Sequence, residues 1–119
     1  MLHIIRDLIF PQVCAGCNTE LIVGERAICQ SCLHKIEQTN MHLQWNQNLV
    51  YRKFAGKVPL GGASSCFFFD DAGLLQGMLH KLKYEELPEI GLELGRFYGE
   101  LLSNQDFSPY SALIPIPLY

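Results

Sequence analysis

Four of the five cysteines fall into two pairs, Cys14-Ala15-Gly16-Cys17 and Cys29-Gln30-Ser31-Cys32, with eleven residues between them. Each Cys-x-x-Cys turn offers two soft thiolates from one loop. Two such turns set face to face supply a tetrahedron of sulfur, the arrangement that suits zinc. Four protein ligands leave no open position for a substrate, so a metal held there is structural. The intervening loop is shorter than usual for such double pairs but long enough for a hairpin. Iron in a mononuclear tetrathiolate centre would use the same ligands. A redox dithiol needs only one pair, in a βαβ setting, and leaves the second idle. Disulfides need an oxidising compartment. The opening segment carries Arg6 and Asp7 and has no small-residue cleavage site, so it does not read as a secretory signal. The expectation is a cytoplasmic protein with reduced thiols, in which Cys14, Cys17, Cys29 and Cys32 hold Zn2+.

The elements that must position those cysteines follow from periodicity. Leu2, Ile5, Leu8 and Ile9 are spaced as on a helix that Pro11 ends, a short helix packing on the rest. Leu21-Ile22-Val23 and Ala27-Ile28 flank Gly24-Glu25-Arg26 and predict a hairpin between the cysteine turns. Residues 31–38 predict a short helix with Leu33 and Ile36 on its buried side. Its dipole would favour a thiolate on Cys32 near its start. Residues 1–38 thus form an N-terminal helix and a zinc ribbon. Residues 39–61 are polar and aperiodic, a connector with some structure around Trp45 and Phe54. Beyond it, residues 63–69 predict a strand, and Leu74, Leu75, Met78, Leu79 and Leu82 form a helical stripe. A longer helix spans 87–102, with Ile90, Leu94, Phe97, Tyr98 and Leu101 inward and Pro88 in its first turn. Residues 112–117 predict a short buried strand broken by prolines.

Other groups carry weaker signals. Asp70 and Asp71 close an apolar run, as do the paired acids of phosphoribosyltransferases. Leu74 and Leu75 follow where a Thr- and Gly-rich phosphate loop would be needed, so a helix-capping role is preferred. His80, Lys81 and Lys83 sit near a helix C-terminus, where dipole complementation outweighs an anion contact. Gly91, Gly95 and Gly99 recur every fourth residue, which suggests close approach by a neighbouring element. His34 is a substitute ligand that four thiolates make unnecessary. Cys66, in an apolar run, reads as a buried thiol. His3 and His42 carry no readable role.

Composition bounds the rest. The chain has 119 residues, 49% of them apolar and 18% charged, with net charge −3. It is long enough for a real core, unlike a disordered chain, and exerts no general pull on nucleic acid. No apolar run approaches the length of a membrane span.

In order, Leu8-Ile9-Phe10-Pro11, Cys14-x-x-Cys17, Cys29-x-x-Cys32-Leu33, Leu79-His80-Lys81-Leu82-Lys83-Tyr84 and Leu113-Ile114-Pro115-Ile116-Pro117-Leu118 resemble the N-terminal half of the ComF family. That family is associated with DNA uptake in natural competence and is similar to type I phosphoribosyltransferases. The resemblance implies an α+β fold, a small four-cysteine zinc ribbon followed by the opening strands and helices of an α/β phosphoribosyltransferase-like domain over 62–119. Family members continue into a basic Arg-Gly-x-Asn-Gln segment and a later donor-binding loop. Neither is present here, so the chain is expected to be a fragment or truncated product without catalysis of its own, linked by the resemblance to DNA uptake or to phosphoribosyl metabolism. Only the four cysteines transfer as site residues. The sheet would end on an open edge at 113–116, an expected surface for self-association or for a missing half. The competence machinery or single-stranded DNA would be partners. A different class of function is a zinc-ribbon interaction module that binds single-stranded nucleic acid through Arg52, Lys53, Lys57, Lys81 and Lys83, with Trp45, Tyr51 and Phe54 for stacking.

Overall fold

The computed structural model describes residues 2–71 and 73–117, apart from the side chains of His3 and Asp7. Ala72, beside the acidic pair, and Leu118, in the Pro-x-Pro-Leu segment, lie outside the described residues. The elements are α1 (Leu2–Ile9), α2 (Gln30–Lys35), a 3₁₀ turn at Met41–Leu43, α3 (Leu49–Phe54), α4 (Leu74–Tyr84) and α5 (Pro88–Leu102). No helix among them is long and apolar enough to cross a membrane.

The two longest apolar stripes make the two longest helices, and these fold back on each other as an α4–α5 hairpin. Pro88 opens α5 within its first turn, where its missing N–H costs nothing. Glu86 turns the chain between them with φ +53°. Leu75, Met78 and Ile90 are buried at the contact, and Leu79, Leu82, Leu94 and Phe97 close around them. Full burial of a side chain such as Met78 or Ile90 is worth about 1.5–3 kcal/mol. Phe67 stacks on Phe97, with ring centroids 5.7 Å apart.

The same cluster contains Cys14, Ala15, Ile28, Cys29, Cys32, Leu33 and Ile36. The cysteine turns and the helical hairpin therefore share one core. Leu33 and Ile36 are buried as expected, although α2 itself stops at Lys35.

The α+β expectation is corrected. Among the described residues there is no strand and no sheet, only isolated antiparallel bridges at Val13–Glu20, Arg26–Ile28 and Gln38–Phe67. The four-cysteine unit is built from turns and a helix rather than a ribbon of strands, and no opening sheet of a phosphoribosyltransferase-like domain follows it. A strand needs a partner along its length; Ala63 N–H donates to the Trp45 carbonyl (2.9 Å), and residues 63–69 form a bridge only with 37–39. There Thr39 N–H donates to the Cys66 carbonyl (3.0 Å) and Phe68 N–H to the Glu37 carbonyl (3.0 Å). Residues 111–117 form no ladder, and Pro115 and Pro117 have no N–H to give to one. The sheet edge expected for self-association is therefore absent. Leu113, Ile114 and Ile116 stand exposed in irregular backbone instead.

Three further expectations are revised. Leu2, Ile5, Leu8 and Ile9 on α1 are all exposed, so this helix does not pack on the rest. Gly73, with no side chain, holds the N-cap position of α4, so neither Asp70 nor Asp71 is its capping residue. A Cβ on Gly91 would meet Leu82 at an ordinary 3.5 Å, while on Gly95 or Gly99 it would meet nothing within 4 Å. The glycine row is not a face of close approach. The connector, by contrast, has a polar centre. Buried Asn48 caps α3 by accepting from Tyr51 N–H (2.9 Å), and its amide donates to the carbonyls of Gln44 (2.7 Å) and Ala63 (2.6 Å).

Candidate metal centre

The first knuckle is a loop closed on itself. Cys14 N–H donates to the Thr19 carbonyl (2.8 Å), and Asn18 N–H returns to the Cys14 carbonyl (2.9 Å). Asn18 adopts φ +60°, a left-handed conformation that asparagine tolerates well. Gly16 is required by space. A Cβ there would lie 2.9 Å from both Cys32 Sγ and Leu74 Cδ1. The second knuckle is a helix start. Cys29 is the N-cap of α2, and its sulfur accepts from Cys32 N–H at 3.4 Å. Glu25 braces this turn, with one carboxylate oxygen accepting from Ile22 N–H (3.1 Å) and the other from Gln30 N–H (2.8 Å).

These turns bring together the cysteines expected from the sequence. The sulfurs of Cys14, Cys17, Cys29 and Cys32 all lie within 4.8 Å of one another. Four sulfurs about 2.3 Å from a common zinc stand about 3.8 Å apart. Cys17 and Cys29 are at that separation, 3.8 Å. Backbone donors converge on the cluster, with Gly16 N–H at 3.3 Å and Cys29 N–H at 3.2 Å from Cys14 Sγ. Cys14, Cys29 and Cys32 are buried, while Cys17 is at the surface. The donor set and its geometry therefore fit a tetrahedral thiophilic ion.

The four thiols are not equivalent. The Thr19 hydroxyl, 2.8 Å from Cys17 Sγ, together with the Thr19 N–H, lowers that thiol to a pKa of about 6. Burial raises Cys14, but the N–H groups of Cys29, Cys17 and Gly16 outweigh it, and its pKa is lowered. At Cys29 the Cys32 N–H favours a thiolate, yet burial and the adjacent Cys14 sulfur prevail and push it up. Cys32 is pushed far up, first by burial and then by the neighbouring sulfurs. The helix-dipole expectation for Cys32 is thereby reversed, because one short helix cannot offset burial among three other sulfurs.

The other residues singled out fall elsewhere. His34 lies on the exposed side of α2, its Nδ1 2.7 Å from the Gln30 carbonyl, and is not among the clustered ligands. Cys66 stays apart, in a hollow with Phe67, Leu79, Leu94 and Tyr98, and burial raises its pKa to about 11. His42 is buried with its ring edge-on to Tyr98, at 6.4 Å. Among the residues offered for nucleic acid, Arg52, Lys53, Phe54 and Lys57 are exposed at the end of α3 and just beyond it. Trp45 is half-buried, donating from Nε1 to Gln105 (2.9 Å) and set edge-on to Phe107. Lys81 is turned inward. Its Nζ donates to the Ala15 carbonyl (2.9 Å) and to Asn18 Oδ1 (3.2 Å). Sequence reading missed this tie and the support from Glu25 and Thr19. Its one local signal was the Gly of Cys-x-Gly-Cys, since Lys81 lies more than sixty residues from its partners.

No family model, no curated protein and no solved structure matches this chain.

Proposed function

We propose that this chain is a zinc-stapled protein in which Cys14, Cys17, Cys29 and Cys32 hold one structural Zn2+. The observation that carries this reading is the convergence of four sulfurs, three of them from cysteines of the main core and that of Cys17 at its surface, at spacings that suit zinc–thiolate bonds. Without a metal, burial first and the neighbouring sulfurs second disfavour thiolates at Cys29 and Cys32, whose pKa values are raised. Bound zinc would satisfy these sulfurs with four bonds and cross-link the two knuckles, which pack in one core with the α4–α5 hairpin. Its chemistry is charge neutralisation and cross-linking. Reduced thiolate ligands suit a reducing compartment such as the cytoplasm.

The test is elemental analysis of purified protein combined with chelation. Close to one zinc per chain is expected, reduced in Cys14→Ser and Cys32→Ser, with a large fall in melting temperature after chelation. Metal-free protein whose melting ignores chelator would overturn the reading, and stoichiometric iron would correct the ion.

The proposed wider role is ComF-like, in DNA uptake during natural competence, and it rests on the order of the cysteine, Lys-Leu-Lys-Tyr and Pro-x-Pro segments. Unchanged transformation frequency after deletion in a naturally competent host would reject it. A second reading, a module for single-stranded nucleic acid, is favoured by the exposed Arg52, Lys53 and Lys57 beside exposed Phe54. Oligonucleotide affinity that falls with salt and is lost in an Arg52→Ala/Lys53→Ala variant supports it. Salt-independent or absent binding counts against it.

A further inference from the structure

A zinc ion with four thiolates carries a net charge of −2, and three of the four cysteines here are buried. Backbone N–H groups offset part of that charge. Glu25, which braces the second knuckle, has the wrong sign and is occupied by the Ile22 and Gln30 amides. Lys81 has the right sign and the right place. It comes from the last turn of α4, and its ammonium is fixed by Ala15, between the first two ligands, and by Asn18, next after Cys17. Dipole complementation at the helix end does not account for a lysine turned into another loop. Lys83, in the same turn, is exposed and shows what a merely solvated lysine does there. Leu74, at the other end of α4, packs so closely on the knuckle that a Cβ on Gly16 would meet it at 2.9 Å. The helix therefore touches the knuckle at both ends, with an apolar contact at one and a cation at the other.

We infer that Lys81 is the counter-charge and latch of the metal centre, a positioning residue that touches no metal but slows its loss by neutralising the tetrathiolate and tying the first knuckle to the α4–α5 hairpin. The inference rests on the zinc reading above and assigns the control of metal retention to a residue outside the cysteine loops.

The test follows zinc release from the zinc-loaded 119-residue chain to an excess of chromophoric chelator, for wild type, Lys81→Met, Lys81→Arg and Lys83→Met. Zinc content of the wild type is measured first. Its absence there sinks the zinc reading, and this inference with it, before any variant is compared. With zinc present, Lys81→Met should release it at least about tenfold faster, the usual scale for groups that support metal ligands. Lys81→Arg should recover most of the wild-type rate, and Lys83→Met should match wild type. Equal rates for Lys81→Met and wild type, or for Lys81→Arg and Lys81→Met, overturn the inference. Amine labelling of the wild type read by mass spectrometry provides a check that needs no variant to fold. Lys81 should label slowly in the zinc form and quickly after chelation, whereas Lys83 labels quickly in both. Equal labelling of the two lysines in the zinc form would overturn the assignment.

Discussion

At the scale of residues, the four-cysteine cluster is governed by space and by protons. Gly16 sits where a methyl group would press on both a ligand sulfur and Leu74, each at 2.9 Å. Gly16→Ala should therefore displace the first knuckle, lowering stability by about 1–3 kcal/mol, the common cost of overpacking. It should also reduce zinc content, and melting with parallel metal analysis checks both effects. Protons set the pH dependence. At neutral pH, Cys17 with its pKa of about 6 is already largely a thiolate, while Cys29 and Cys32 are displaced upward and hold their protons. Zinc binds thiolates, so binding must expel those protons, and affinity must rise with pH and fall with acid. Titration calorimetry in buffers of different ionisation heat should show net proton release at pH 7. No release there would contradict the assigned proton inventory.

At the scale of elements, α5 carries a cost that nothing in the described fold explains. Gly95 and Gly99 lie inside a helix with open space where their side chains would be. Glycine in a helix interior is less favourable than alanine by up to about 1 kcal/mol. Gly99→Ala should thus raise stability by roughly 0.5–1 kcal/mol in denaturant unfolding. A loss of stability would show that some element does approach this face. The helices were legible in the sequence because their stripes are local: α4 and α5 lie where Leu75, Met78, Ile90 and Leu94 repeat at helical spacing. The strands were misjudged because apolar runs such as 63–69 and 112–117 report burial potential, not the presence of a pairing partner.

At the scale of the whole molecule, apolar surface is left uncovered at both ends. Leu8 is 84% exposed on α1, and Leu113, Ile114 and Ile116 are 97%, 83% and 90% exposed. Contiguous exposed apolar groups drive association. The protein is therefore expected to bind an apolar fluorescent dye and to sediment faster as concentration rises. Replacing Leu113, Ile114 and Ile116 with serine should weaken both effects. A monomer that ignores both dye and concentration would show that these groups are masked in solution.

The cysteine spacing by itself determined which four side chains meet, because a Cys-x-x-Cys turn is a local object and its ligand count follows from chemistry. Helical periodicity likewise determined α4 and α5. Only the tertiary structure decided that the cysteine turns and the hairpin share a core, that burial drives the Cys32 thiol up, and that Lys81 reaches back to the first knuckle. Those outcomes depend on distances between segments far apart in the chain, and residue spacing carries no information about them.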